Sequence, residues 1–136
     1  MNKVMVYFIC LLPLILSSLS CVNTDEFNLP YEVVIKNGQV HHNQVNNFRL
    51  QMIKVVSDSR CPTGVECVWE GDAAILFDLE IKDHQNFILH THAGFQTDTI
   101  IDTIKFVLLE CNPAPVYGED IKPEDYAVKL RIEEVN

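Results

Sequence analysis

The feature that most constrains this chain is the alternation of apolar and polar side chains with a period of two. It is clearest at residues 75–82, where Ile75, Phe77 and Leu79 are separated by mostly polar positions. Successive side chains of a β-strand point to opposite faces, so this segment predicts a strand with one face in a core and the other in solvent. One-sided alternation excludes a parallel sheet that is buried on both faces.

Similar segments recur at fairly even spacing. They predict strands at residues 31–35, 39–41, 48–56, 75–81, 87–91, 104–108 and 126–133. Asn37-Gly38 predicts a type I′ turn that joins the first two strands in a hairpin. The loop at residues 112–123 is rich in proline, which fits ordered turns or a mobile flap. Seven or eight short strands predict an all-β fold, either a single small antiparallel β-sandwich or a barrel-like domain.

The first twenty residues carry an export signal rather than a part of the fold. Lys3 is their only charge, and a nearly unbroken apolar run follows at residues 4–16. That run is shorter than the roughly 20 apolar residues that cross a bilayer. Small residues and then Cys21 come next, with Ser18 where leucine is usual. The segment resembles a bacterial lipoprotein signal peptide, which implies lipid attachment at Cys21. The alternative is an ordinary secretory peptide cleaved near Ser20.

This resemblance implies a cellular location for the protein and a division of the chain into three segments. Val22 stands where an inner-membrane retention signal usually has Asp, which favours an outer-membrane anchor. The stretch Asp25-Glu26-Phe27 weakly resembles an export signal of surface lipoproteins, so either side of that membrane stays open. We expect a signal peptide at residues 1–20, a flexible tether at 21–30 and the β domain at 31–136. The lipid is then the link to the membrane.

The charge of the chain excludes one class of partner. Lys and Arg number 10 against 19 Asp and Glu. A surface this acidic, without a basic stripe, does not bind nucleic acid through its phosphates. It also repels anionic lipid headgroups, so the lipid itself must hold the protein at the membrane. We expect a soluble monomeric domain without a cofactor.

Cys61 and Cys67 lie in the most distinctive segment, residues 58–71. In an oxidising compartment two such cysteines form a disulfide. Cys111 is then the odd cysteine. It is expected as a buried thiol, with pairing to another molecule or to Cys61 or Cys67 as alternatives.

The same segment carries a second resemblance. It reads Arg60-Cys61-Pro62, a four-residue gap, and then Cys67-Val68-Trp69-Glu70-Gly71. This signature resembles that of a group of small bacterial secreted proteins and lipoproteins. The resemblance extends loosely to the strand from Ala73, to Pro113-Ala-Pro115 and to the last strand. It implies an all-β exported domain and brings no activity with it.

Two interpretations of this segment compete. In the structural one, the disulfide fixes a long connection, Trp69 covers the core, and Arg60 pairs with an acid such as Asp58 or Glu70. In the functional one, Arg60 and Trp69 form an exposed recognition site, since Arg and Trp are enriched among interface hot spots. The two residues are therefore the candidate binding residues.

Other chemistry is weaker. His90 and His92 are two apart on a predicted strand, so they share one face and could bind a metal with His41 and His42. No third ligand follows from local spacing. The sequence has no catalytic motif for acyl transfer, zinc hydrolysis or phosphate binding.

These observations predict an envelope-anchored, non-enzymatic β-sandwich that binds a protein or a glycan. An inhibitor of exported hydrolases is one concrete form of that function. The alternatives are a metal-handling lipoprotein that uses His90 and His92, and a small hydrolase with no recognisable motif.

Overall fold

The strands predicted from alternation are present, and they form two antiparallel sheets. A computed structural model describes residues 28–135, and the predicted signal peptide, Cys21 and most of the tether lie outside that range. The strands are β1 Tyr31–Lys36, β2 Val40–Asn43, β3 Phe48–Asp58, β4 Ala73–Glu80, β5 His84–His90, β6 Asp98–Ile101, β7 Ile104–Asn112 and β8 Ala127–Glu134. Within the described residues, no helix is long and apolar enough to cross a membrane.

The two sheets have four strands each, in the orders β1-β8-β7-β6 and β2-β3-β4-β5. All strand pairs are antiparallel. The chain therefore forms a small β-sandwich, and the predicted all-β fold is confirmed.

The core lies between the sheets and is built from the inward positions of the alternating strands. Phe77 of β4 and Phe106 of β7 are among its largest fully buried side chains. Phe87 packs between these two rings, with centroid distances of 5.3 and 5.7 Å. Large apolar side chains that interdigitate in this way bury most of the area that stabilises a sandwich.

A β-bulge in β7 changes which residues face the core. The register between β7 and β8 shifts between Leu108 and Glu110. Strict alternation would direct Glu110 inward, whereas the extra residue directs Cys111 inward instead. Cys111 is buried and is not in a disulfide, as predicted.

The predicted hairpin between the first two strands is wrong. β1 pairs with β8 and β2 pairs with β3, so residues 37–39 cross from one sheet to the other. Gly38 has a φ of 77°, Asn37 has no positive φ, and the N–H of Gln39 donates to the carbonyl of Lys36. This is the geometry of a type II turn rather than type I′.

The connections divide between the two ends of the sandwich. Asp58 pairs with Ala73, and Asn112 pairs with Ala127, at the same end as His90. The three long connections therefore meet there, and we call them together the loop end: residues 59–72, 91–97 and 113–126. The opposite end carries shorter turns and the start of β1.

Candidate functional site

The loop end is the candidate functional site. Connections at one end of a sandwich often carry binding residues, because the rigid sheets position them. Hydrogen bonds join residues 59–72 to residues 91–97 on one side and to residues 113–126 on the other.

The disulfide between Cys61 and Cys67 is present, as predicted. It closes a short ring in the β3–β4 connection, and the N–H of Cys61 donates to the carbonyl of Glu70 at 2.8 Å. On the other side of the ring, Thr63 exchanges backbone hydrogen bonds with the β7–β8 connection. Its N–H donates to Pro115, and its carbonyl accepts from Tyr117. The ring is thus held on both sides.

Arg60 lies inside this network rather than on the surface. Its side chain is 14% exposed, and Nε and Nη2 donate to the two oxygens of Asp58 at 2.8 and 2.6 Å. Nη1 donates to the carbonyl of Cys111, and Nη2 also donates to that of Pro113. A planar guanidinium with several fixed donors suits this task, for which lysine has too few. The contacts of Arg60 therefore fit the structural interpretation.

Asp58 is held as a carboxylate. Burial raises the pKa of its carboxyl group, but the hydrogen bonds and the charge of Arg60 outweigh burial, so the pKa lies below its ordinary value. The hydroxyl of Tyr126 donates to the same carboxylate at 3.0 Å. Burial and this hydrogen bond raise the pKa of Tyr126 to about 12. The β8 end of the third connection is thereby joined to β3.

Asp72 holds the first connection to the second. Its buried carboxylate accepts from the backbone N–H groups of Thr91 and His92, both at 3.0 Å, and from the Thr91 hydroxyl. The second oxygen lies 2.6 Å from Nδ1 of His90. Burial raises the pKa of Asp72, but the hydrogen bonds from His90 and His92 outweigh it, and the pKa is lowered. A buried acid with these partners fixes the path of residues 91–92.

Gly71 allows the backbone just before Asp72 to pass close to Ser59. Its φ is 75°, and a Cβ atom there would overlap the carbonyl oxygen of Ser59. Only glycine fits such a position, because it tolerates positive φ and has no side chain. The sequence Glu70-Gly71-Asp72 therefore turns the chain from the exposed loop into the start of β4.

Aromatic rings lie on the outside of these connections. Trp69 is 52% exposed, and its ring centroid is 5.3 Å from that of His92. Phe95 is 50% exposed and lies 5.7 Å from His92 and 5.1 Å from His90. Tyr117 is 71% exposed on the far side of the disulfide ring, beside Thr63. We call Trp69, His92, Phe95 and Tyr117 the aromatic surface.

The histidines are used in this network. Nδ1 of His92 accepts from the N–H of Gly94 at 2.9 Å, and its Nε2 lies 3.2 Å from a carboxylate oxygen of Glu70. The hydrogen-bond network therefore assigns the proton of a neutral His92 to Nε2. His41 and His42 lie on β2, at the edge of the sheet opposite to β5 and His90. Residues 28–135 contain no group of three or more His, Cys, Asp or Glu that could hold a metal ion.

A hydroxyl group and a thiol group also lie near the site. The Thr91 hydroxyl donates to Asp72 and accepts from the N–H of Ala73. Burial raises the pKa of the Cys111 thiol to about 11. A thiol, rather than a thiolate, is a weak nucleophile.

Sequence reasoning placed Trp69 and the disulfide at the candidate site and did not identify Asp72, Phe95 or Tyr117. Phe95 and Tyr117 lie in irregular connections, where no periodicity shows which way a side chain points. Asp72 directly follows Gly71 at the start of a strong apolar strand. An acidic residue directly before a buried strand is the sequence signal from which Asp72 could have been predicted.

The chain was compared with protein families, curated proteins and solved structures, and no family model, curated protein or solved structure matches it.

Proposed function

We propose that this protein is an exported, lipid-anchored and non-enzymatic binding protein, and that its loop end captures a protein partner. One observation carries the proposal: aromatic side chains that are half exposed or more lie on connections that hydrogen bonds and a disulfide hold in place. Trp and Tyr are enriched among the residues that dominate binding energy at protein interfaces. Val68, beside Trp69, is fully exposed and extends the apolar area.

The fixed connections favour this function over a purely structural role. A loop that is ordered before binding loses less conformational entropy when the partner arrives. The side chains of Arg60 and Asp72 hold the three connections together through hydrogen bonds. The side chains of Trp69 and Tyr117 are therefore not needed to hold these connections in place. An inhibitor of an exported hydrolase belongs to this class, because such complexes form with little backbone change.

The position of the N-terminal strand suits a membrane anchor. β1 starts at the opposite end of the sandwich from the candidate site, because Tyr31 pairs with Ile132 and Lys36 with Ala127. A lipid on Cys21 would therefore hold the opposite end towards the membrane. The loop end would face away from it, where a partner has access.

The metal-handling alternative has less support. In residues 28–135, both ring nitrogens of His92 have partners within the chain, and the two histidine pairs lie on different edges of one sheet. The pairing of His90 with Asp72 does resemble the carboxylate–histidine pairs that orient metal ligands. Calorimetry with zinc and copper tests this alternative, and micromolar binding that is lost in His90→Ala would favour it.

Photo-crosslinking in the native cell tests the binding proposal. A photoreactive residue replaces Trp69 in one strain, and replaces Ile100 in a control strain. Ile100 is similarly exposed but lies on β6, away from the aromatic surface. We expect a discrete crosslinked protein from position 69 that is absent from position 100. Equal crosslinking from both positions, or from neither, would reject the loop end as a capture site.

Intact mass tests the anchor separately. Protein from the native membrane fraction should start at Cys21 and carry a lipid-sized increment. A chain of unmodified mass would reject the lipid anchor, while the crosslinking result would still decide the function of the loop end.

A further inference from the structure

The charges around the aromatic surface indicate what kind of protein it would bind. The carboxylates of the three connections are Glu66, Glu70, Asp72, Glu119, Asp120, Glu124 and Asp125, and their only Lys and Arg residues are Arg60 and Lys122. Arg60 is already occupied by Asp58 and two carbonyl groups. The loop end is therefore acidic as well as aromatic.

These acids differ from those on the strands. On the sheets, Glu32 is paired with Lys129 and Arg131, Glu80 with Arg49, and Asp98 with Lys105. At the loop end, within residues 28–135, no ion pair is made by Glu66, Glu119, Asp120, Glu124 or Asp125. Glu32, Glu80 and Asp98 are therefore neutralised by cations of the chain, whereas these five loop-end carboxylates are not.

A cleft lies at the loop end. It has a volume of about 400 Å³ and opens between the disulfide ring and the third connection, with Pro62 on one side and Glu119 and Asp120 on the other. Arg60 and Asp58 also line the cleft, where they form an ion pair with each other. Tyr117, which is 71% exposed, lies on the same connection as Glu119 and Asp120, two residues before Glu119. The cleft is large enough for one long side chain of a partner.

We propose that the partner is a protein that presents a basic segment, with Arg or Lys side chains stacked on Trp69 and Tyr117 and one of them in the cleft beside Glu119 and Asp120. A cation above an aromatic face is attracted by the ring quadrupole, and Arg also stacks through its planar guanidinium. Carboxylates around the rings add attraction at longer range and speed the encounter. This inference rests on the proposed function, since it names the partner of the same site.

Other occupants of the surface are less well matched. A second copy of the chain would place two acidic loop ends against each other, and anionic lipid headgroups would meet the same repulsion. A neutral glycan would use the aromatic rings but gain nothing from the unpaired carboxylates. The surplus of negative charge therefore selects a basic partner among ligands that an aromatic surface can bind.

Binding of a fluorescein-labelled nona-arginine peptide to the full-length protein in non-ionic detergent tests the inference. Anisotropy is measured at several salt concentrations, and the variants are compared at about 0.15 M, where charges further apart than about 8 Å are screened. The aromatic variant is Trp69→Ala with Tyr117→Ala, and its control is Ile100→Ala. The charge variant is Glu119→Gln with Asp120→Asn. Its control is Asp83→Asn with Glu134→Gln, which removes the same charge from exposed positions at the opposite end.

We expect the aromatic variant to weaken binding about tenfold, as two exposed cation–π contacts would. The charge variant should weaken it about fivefold and reduce its dependence on salt, and both controls should stay within twofold of the unmodified protein. Thermal unfolding of each variant checks that the fold is intact. If the opposite-end control weakens binding as much as the charge variant, the peptide senses only net charge, and the inference is overturned.

The outcomes separate this inference from the proposed function. Crosslinking from position 69 but not from position 100, together with peptide binding that ignores both loop-end variants, would keep the capture site and reject the basic partner. If the crosslinked partner is an acidic protein or a glycan, the proposal of a basic partner is rejected as well. Peptide binding that follows the variants, without any crosslink in the cell, would support the chemistry of the surface and reject its use in capturing a partner.

Discussion

Arg60 and Trp69 stand close together in the sequence, yet the structure gives them different surroundings. Arg60 is largely buried and donates to three different residues, whereas Trp69 leaves half of its surface to solvent. A residue with buried polar partners cannot be removed without leaving those partners unsatisfied. Among residues 28–135, the side chain of Trp69 makes no hydrogen bond of this kind, and that difference can be measured.

We expect Arg60→Ala to lower the free energy of unfolding by about 3 kcal/mol, because it leaves Asp58 without its cation and two carbonyl groups without a donor. Trp69→Ala should cost less than about 1 kcal/mol, since its side chain is half exposed. Chemical denaturation of both variants checks this contrast. Equal losses would mean that Trp69 supports the fold as Arg60 does, and would remove the main argument for an exposed binding residue.

Asp72 is expected to make stability depend on pH in acid. Its folded-state pKa lies below the ordinary value because the hydrogen bonds from His90 and His92 outweigh burial. Such a carboxyl contributes stability that is fully present above the unfolded pKa, near 4, and is lost as the pH falls through the folded value. We therefore expect the free energy of unfolding to decrease below about pH 4.

The variant Asp72→Asn should be less stable at pH 7 and should lose less stability on acidification. Its amide oxygen can still accept from the N–H groups of Thr91 and His92, so the fold is kept. Asp58 also has a lowered pKa, and a smaller slope should therefore remain. Urea unfolding at several pH values measures the slope, with Asp83→Asn as the exposed control. If the free energy of unfolding depends on pH in Asp72→Asn as it does in the unmodified protein, the pKa of Asp72 is not lowered in the folded state.

At the scale of elements, the disulfide ring is attached to its surroundings by more than its own bond. Cys61 donates to Glu70, and Thr63 is bonded to the β7–β8 connection on the other side. In the chain-entropy model, closing this short ring stabilises the fold by about 2.4 kcal/mol. The effect of removing the bond should therefore be moderate and local.

We expect Cys61→Ser with Cys67→Ser to lower stability by about 2 kcal/mol. Hydrogen exchange should become faster at the amides of Thr63 and Tyr117, while β4 and β8 should stay protected, because no residue of the ring belongs to the hydrophobic core of residues 28–135. A reductant should reproduce the effect in the unmodified protein and have none in the double variant. Global loss of protection would instead make the ring part of the folding core.

The elements also show what the sequence could predict. Alternation identified β3, β4, β7 and β8, because each has one face in a single core. It did not identify β6, where Asp98-Thr99-Ile100-Ile101 has no inward periodicity and pairs only through β7. The turn at Asn37-Gly38 was recognised, but a local turn signal cannot show whether the next strand pairs back or crosses to the other sheet. That depends on β8, some ninety residues further along the chain.

For the whole molecule, the same limit applies to the candidate site. Cys61, Cys67 and Trp69 could be singled out from their spacing, but Phe95 and Tyr117 join them only because three connections end at one side of the sandwich. The sheet order determines that arrangement. It also places the start of β1 at the opposite end, roughly the 20 Å length of a six-residue strand away.

This arrangement makes a prediction about orientation at the membrane, which the only tryptophan of the chain can report. With the lipidated protein in vesicles, we expect a water-soluble quencher to reduce the fluorescence of Trp69. Lipids with brominated acyl chains should leave it unchanged, because the proposed anchor on Cys21 would hold the opposite end towards the bilayer. Strong quenching by the brominated lipids would place the loop end at the membrane. The aromatic surface would then be an interfacial anchor, as exposed Trp and Tyr residues often are, and not a site for a protein partner.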